Sequence, residues 1–394
     1  TVVALLAMLA AVEAGRQAAL LAPTEILARQ HLATLAPLAA RAGVAIDLLT
    51  GRDAANRRTA VLLGLADGTL PLVVGTHALL QDDVRFQDLA LAVIDEQHRF
   101  GVDQRLALTE KGTAVDILAM TATPIPRTLQ MSAYGDMDVS AIREKPPGRT
   151  PVDTRAIPMD RLEEVVDGLA RHLATGAKAF WVCPRVEDGG DLGGLTDATG
   201  RAATLGSRFG KRVGLVHGRM ASADKDAVMT AFADGDVDVL VATTVVEVGV
   251  NVPSATLMVI EHAERFGLAQ LHQLRGRVGR GTDKSVCLLL YQPPVSDTMR
   301  QRLTTIRDTD DGFAIAEADL ALRGAGDMLG VKQSGLPDFR LADLPAHTDL
   351  LAIAHDDARV LLANDPDLTG PRGEAVRTLL YLWERDAAIR YLGT

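Results

Sequence analysis

The sequence predicts an α/β protein: two tandem units, each a parallel sheet flanked by helices, then a mainly helical C-terminal region. Three observations predict it. The first 145 residues alternate short apolar runs with longer amphipathic ones, the pattern of strands and covering helices in a parallel sheet. A second series of the same kind follows Lys145-Pro146-Pro147-Gly148-Arg149-Thr150-Pro151, whose prolines and glycine break the first and read as a linker. The alternation stops at Pro293-Pro294, and the last hundred residues keep only helical patterning. The expected domains are residues 1–148, 149–294 and 295–394.

Taken in order, Thr1–Ala14 is apolar without a basic leader region, so it reads as a buried helix. Strands are expected at Gln17–Ala22, Val44–Leu49, Pro71–Gly75, Leu89–Ile94 and Val115–Met120, with helices at Glu25–Ala40 and Asp53–Ala66 among those between them. In the second unit the expected strands are Val152–Ile157, Ala177–Cys183, Arg212–Val216, Val237–Ala242, Thr256–Ile260 and Ser285–Leu290. Gly189–Gly200 is rich in glycine and aspartate and is expected to be a mobile surface loop.

At 394 residues and 47% hydrophobic, the chain has material for two or three cores. Its formal charge of −10 speaks against a generally basic nucleic-acid coat. A local basic track stays open, because phosphate binding depends on where the charges lie. No apolar run reaches the length of a membrane span. Cys183 and Cys287 lie in apolar runs and read as buried thiols, which fits a reducing cytoplasm.

The chemistry concentrates in two segments. Val93-Ile94-Asp95-Glu96-Gln97-His98 places two carboxylates at the end of an apolar strand, where parallel sheets present ligand groups. An aspartate there can hold Mg²⁺, and the next carboxylate can orient or deprotonate water. Alone, such a pair is equally a solvated strand end. Gln273-Leu274-Arg275-Gly276-Arg277-Val278-Gly279-Arg280 offers three guanidinium groups spaced by glycines. Any one of them could lie on a solvated basic face. Helical glycines cost about 1 kcal/mol each against alanine, so their presence suggests a close backbone approach, most simply to a phosphate.

Further polar turns follow strands. Ala22-Pro23-Thr24-Glu25 opens a helix whose free N–H groups suit a phosphate, though Thr24 is also an ordinary N-cap. Gly75-Thr76-His77 repeats the arrangement, and Thr121-Ala122-Thr123-Pro124-Ile125-Pro126-Arg127-Thr128 adds three hydroxyls and an arginine. The second unit contributes Val216-His217-Gly218-Arg219 and Thr243–Pro253. Together these describe a lined cleft.

In their order these segments resemble the motifs of superfamily 2 helicases and translocases, over most of residues 20–281. Asp95-Glu96-Gln97-His98 followed by Arg99-Phe100-Gly101-Val102, with Met120–Thr128 and His272–Gly281, is similar to the RecG branch-migration helicases. The transcription-repair coupling factor shares much of this motor and is the nearest alternative; a non-catalytic DNA-binding scaffold is another. In the tail, Asp311-Gly312-Phe313, Ala316–Leu320, Arg323-Gly324-Ala325-Gly326-Asp327 and Gln333-Ser334-Gly335 resemble the translocation motif after the second lobe.

The resemblance implies two RecA-like P-loop NTPase lobes using ATP and Mg²⁺. It assigns Mg²⁺ to Asp95 and Thr1, the catalytic base to Glu96, and arginine fingers to Arg277 and Arg280. Gly249 and Gln273 would meet the nucleotide. Pro23, Thr24, Glu25, Thr76, His77, His98, Thr121, Thr123, Arg219 and Asn251 would serve DNA contact and coupling, and Arg323 and Gln333 the translocation loop. The implied partners are branched duplex DNA (forks and four-way junctions) and a single-stranded DNA-binding protein. The implied state is a cytoplasmic, nucleoid-associated monomer without membrane contact. The family's phosphate loop ends in Gly-Lys-Thr. Only the threonine has a counterpart, Thr1, and the lysine has none. The expectation is therefore the motor portion of a longer protein, poor or inactive as an ATPase in this form.

Overall fold

The computed structural model describes residues 1–97, 100–122, 138–144, 150–184, 193–243, 252–279, 281, 283–327 and 347–383. The chain divides into two compact units, residues 1–124 with 146–310, and residues 125–145 with 311–394. The first unit holds two parallel sheets.

The first sheet is built from β1 (Gln17–Leu21), β2 (Ile46–Leu49), β3 (Leu72–Gly75), β4 (Leu89–Ile94) and β5 (Asp116–Ala119) in the order β2-β3-β1-β4-β5. Every pairing in this sheet is parallel, so all five strands present their C-termini at one edge. The expected strands are all present, to within two residues at either end.

The central strands are apolar on both faces because both faces are covered. Ala18 and Leu20 of β1, Leu72 and Val74 of β3 and Val93 of β4 join one core with α1 (Val2–Glu13) and α2 (Glu25–Arg41). Their neighbours Ala19, Leu21, Val73, Ala92 and Ile94 join the other, against Val61 and Leu65 of α3 (Ala55–Ala66) and Leu108 of α4 (Val102–Thr109). This period-two split fixes register, since a one-residue slip would exchange the two cores. The N-terminal helix is buried on one face only. Ala4, Leu5 and Met8 pack inward, while Val2, Val3 and Leu6 are exposed, which corrects the expectation of a buried helix.

The second sheet contains β6 (Asp153–Pro158), β7 (Lys178–Val182), β8 (Val213–Val216), β9 (Val239–Ala242), β10 (Ala255–Ile260) and β11 (Val286–Tyr291), ordered β6-β11-β10-β7-β9-β8 and again parallel. On one face α5 (Leu162–Leu173) presents Val165, Val166, Leu169 and Leu173 to Trp181, Val239, Val241 and Val259. Beside it lies α6 (Gly193–Phe209). Residues 193–200 thus begin a helix and not a loop, while residues 185–192 lie outside the described ones. Ala198 and Leu205, with Ala202 and Phe209 partly buried, form a helical stripe on this core, and that packing overrides the glycine penalty.

On the opposite face α7 (Ser222–Asp234) is anchored by Phe232 against Phe180, ring centroids 5.0 Å apart. Buried Lys178 donates to the carbonyls of Phe232 and Ala233 at 2.5 and 2.9 Å, placing a cation on the negative end of that helix. Two more helices, α8 (Leu268–Arg275) and α9 (Asp297–Asp308), complete the unit. This compact unit runs on to Asp310, because α9 packs on β6 and α8.

The second unit contains α10 (Gly312–Asp327), α11 (Thr348–Asn364) and α12 (Pro371–Leu382). Within it, the Arg143 guanidinium lies 4.4 Å from the Phe313 ring centroid. Asp365 closes the turn between α11 and α12, its carboxylate accepting the N–H groups of Thr369 and Gly370 at 2.9 Å each.

Candidate active site

Asp95 and Glu96 sit directly beyond β4, the neighbour of β1. The Asp95 N–H still donates to the Leu21 carbonyl at 2.9 Å, so the ladder runs into the site. The chain then turns sharply. Glu96 adopts φ 53°, a left-handed conformation uncommon outside glycine and typical of over-determined functional turns. Next, the Gln97 N–H donates to the Met120 carbonyl at 3.1 Å, pinning this turn to the end of β5, just before Thr121. Gln97 is itself buried, and its Oε1 has no hydrogen-bond partner among the described residues.

The carboxylate of Asp95 is held on both sides. Its Oδ1 accepts from the Glu96 N–H at 3.1 Å, and its Oδ2 accepts from His31 Nε2 at 2.7 Å. His31 lies in the inward stripe of α2 formed by Ala28, His31, Leu35 and Ala39. Sequence reading missed it; the available signal was a histidine in an otherwise apolar stripe. Asp95 keeps 20% side-chain exposure, so it is oriented yet reachable. Thr1 is the N-cap residue of α1 and makes no side-chain cap. Since α1 leads back into β1 and packs on β1 and β4, its N-terminus stands at the same sheet edge.

Other expected residues have local duties. Thr24 caps α2, accepting from the Leu27 N–H at 3.4 Å. Glu25 pairs with Arg29 at 2.7 Å and Arg52 at 3.7 Å. Buried Thr76 caps the short helix His77–Leu80, whose His77 is exposed. Pro23 and Thr121 follow β1 and β5 at the same edge, Thr121 half-buried. Arg219 is exposed beyond β8, and Gln273 is half-buried on α8. For Arg323 the structure gives only its place in α10. His98, Thr123, Gly249, Asn251, Arg280 and Gln333 lie outside the described residues.

Arg275 is buried, and its Nη1 donates to the carbonyls of Ile306 and Thr309 at 2.5 and 2.9 Å, beside Asp310 at 3.3 Å. It ties α8 to the end of α9. Gly276 caps α8. Gly279 adopts φ 72°, and a Cβ there would lie 2.7 Å from Val152 Cγ2. Gly276 thus marks a helix end and Gly279 a tight packing contact within their own lobe. Arg277 is buried beside them.

A second carboxylate went unnoticed in the sequence. Glu261 directly follows β10 and accepts from Arg201 and from the Trp181 indole N–H. Burial works against the Arg201 charge, but Glu261 more than offsets it, and the arginine is held above its ordinary pKa. Both cysteines are buried, and burial pushes the Cys287 thiol up to about 12, with Arg275 opposing. Among the described residues, no helix is long and apolar enough to cross a membrane, and no cluster of three His, Cys, Asp or Glu could hold a metal.

Comparison with known proteins bears on this geometry. Residues 1–132 match the DEAD/DEAH box helicase family and residues 160–282 the helicase conserved C-terminal domain. Residues 309–388 match the C-terminal part of domain 3 of ATP-dependent DNA helicase RecG. Over 384 residues the chain is 48% identical to ATP-dependent DNA helicase RecG of Acidithiobacillus ferridurans, covering 97% of this chain and 55% of that protein. The E. coli K12 protein of the same name is 51% identical over 87% of this chain and 50% of its own length.

The chain belongs to the RecG helicases.

Among solved structures, RecG bound to a three-way DNA junction superposes with TM-score 0.73 at 44% identity, covering 89% of this chain and 45% of that one. Yeast Dbp5, 16% identical with TM-score 0.56, shares the fold. The chain spans about half the length of the curated RecG relatives it matches.

Proposed function

We propose that this chain is the motor of an ATP-driven translocase that remodels branched duplex DNA such as forks and four-way junctions. The observation carrying the proposal is the oriented, reachable Asp95 followed by the left-handed Glu96, in a chain so similar to proteins named ATP-dependent DNA helicase RecG. The lobes would be residues 1–148 and 149–294, with 295–394 as the translocation region. The same reading has the protein act as a cytoplasmic monomer, with a single-stranded DNA-binding protein as a further partner.

The donor set fits Mg²⁺, which takes one or two carboxylates and completes its shell with water and substrate phosphates. Asp95 would hold it, with the Thr1 hydroxyl from the start of α1. Bound there, the ion would neutralise charge developing on the phosphates. Glu96 would take the proton of the attacking water. Gln273 and Gly249 would contact the nucleotide, and Arg277 and Arg280 would stabilise charge on the transferred phosphoryl group. Pro23–Glu25, Thr76, His77 and Arg219 would serve DNA contact. His98, Thr121, Thr123 and Asn251 would couple the site to it, and Arg323 and Gln333 would pass the movement on.

The test is ATP hydrolysis by the intact protein on linear, forked and four-way duplexes. Stronger stimulation by the branched substrates is expected, together with junction unwinding. Equal stimulation by linear duplex, or none by any DNA, would sink the proposal.

A further inference from the structure

We propose that His31 is a positioning residue for hydrolysis, holding the Asp95 carboxylate in the orientation that presents it to the Mg²⁺ of the bound nucleotide. The inference rests on the reading of Asp95 as a metal ligand.

His31 occupies the inward stripe of α2 and is 9% exposed on its side chain. A buried imidazole needs a hydrogen-bond partner. The partner it takes is not a neighbour on its own helix but the first residue beyond β4, 64 positions away, at 2.7 Å. The opposite oxygen of that carboxylate is occupied by the Glu96 N–H at 3.1 Å. One donor on each oxygen stops rotation about the carboxylate bond. A carboxylate has about four lone-pair sites, so two donors leave room for a cation.

The donor type matters as much as its place. An imidazole with its proton on Nε2 can orient a carboxylate without bringing a positive charge, whereas an arginine would cancel the charge a cation needs. The chain uses arginine where the carboxylate is buried away, at Glu261. Residues that orient metal ligands in this way contribute about 10–100-fold to metal affinity or activity.

The experiment is binding of a non-hydrolysable ATP analogue to the intact protein by calorimetry, with and without Mg²⁺. The proteins compared are wild type, His31→Ala, His31→Leu, His31→Gln and Asp95→Asn. His31→Ala should weaken magnesium-dependent binding by about 10–100-fold while leaving magnesium-free binding unchanged. The magnesium concentration for half-maximal hydrolysis should rise by a similar factor. His31→Gln, which keeps a side-chain N–H, should recover most of both. His31→Leu fills the site without a donor and replaces alanine in the comparison if alanine does not fold.

Equal weakening with and without magnesium overturns the role, as does a well-folded glutamine variant no better than alanine. Unaltered magnesium dependence in Asp95→Asn overturns the metal reading and this inference with it. A normal loss in Asp95→Asn beside an unaffected His31→Ala overturns the role of His31 alone.

Discussion

Asp95 and Glu261 occupy matching places in the two sheets of one chain, yet they are built for opposite ends. Each is the first residue after a central parallel strand, β4 or β10, at the edge where such sheets present ligand groups. Asp95 keeps 20% side-chain exposure and is held by an imidazole and a backbone N–H. Glu261 keeps 8% and is neutralised by Arg201, with the Trp181 indole completing its shell. Position at a strand end does not by itself make a ligand. The partner decides whether the negative charge stays available or becomes part of the lobe.

The largest effect that would test this contrast is at Glu96, beside the available carboxylate. Glu96→Gln in the intact protein should lower DNA-stimulated hydrolysis by roughly 10²–10⁴-fold, the range for a lost general base. Binding of ATP should be largely retained. Single-turnover hydrolysis alongside analogue binding separates the two, and wild-type turnover would remove Glu96 from the chemistry.

At the other carboxylate the prediction concerns stability. Arg201→Ala leaves Glu261 buried and uncompensated, which should cost about 3–5 kcal/mol. The pair Arg201→Met with Glu261→Leu should recover most of that, since apolar replacement of a whole buried pair is often neutral. Thermal or denaturant unfolding decides it. A mild Arg201→Ala would mean that water reaches Glu261, and the contrast between the two sheet edges would collapse.

Much of this was legible from residue order. The strands could be read because doubly covered strands form unbroken apolar runs bounded by polar turns. The Asp95-Glu96 turn could be read because parallel sheets place chemistry beyond their C-termini. What stayed hidden depends on contacts distant in sequence. Nothing near His31 announces Asp95, and nothing near Glu261 announces Arg201. Nothing near Arg275 announces the α9 carbonyls that occupy it. Residues 193–200 looked like a loop because glycine propensity is local, while the stripe through Ala198 and Leu205 that makes them helical is tertiary.

Cys287 extends the comparison to a buried acid whose cation, Arg275, only partly opposes the effect of burial. Its folded pKa is raised to about 12 from 9.0 by burial. A raised pKa means stability fully present below the unfolded value and lost as pH rises toward the folded one. Between pH 9 and 12 the unfolded thiol ionises while the folded one stays protonated. Stability should fall there by up to about 1.4 kcal/mol per pH unit from this group. Cys287→Ala should flatten that part of the curve in denaturant titrations at pH 8 to 11. An unchanged slope would show that the thiol is not shielded as the structure places it.

The smallest effect belongs to an ion pair of the same chemistry as Arg201–Glu261 but in the open. Arg52, after β2, meets Asp226 of α7 at 3.0 Å, linking the two lobes with 46% and 39% side-chain exposure. Water screens both charges, and holding two long side chains together costs entropy. Exposed pairs therefore yield about 0.2–1 kcal/mol. A double-mutant cycle of Arg52→Ala and Asp226→Ala should give a coupling within that range. It should fade at 1 M salt, where the screening length falls to about 3 Å. A coupling that exceeds this range and survives high salt would contradict the exposure of the pair. It would turn a solvated contact into a strap between lobes, and burial would no longer suffice to explain why Arg201 matters more than Arg52.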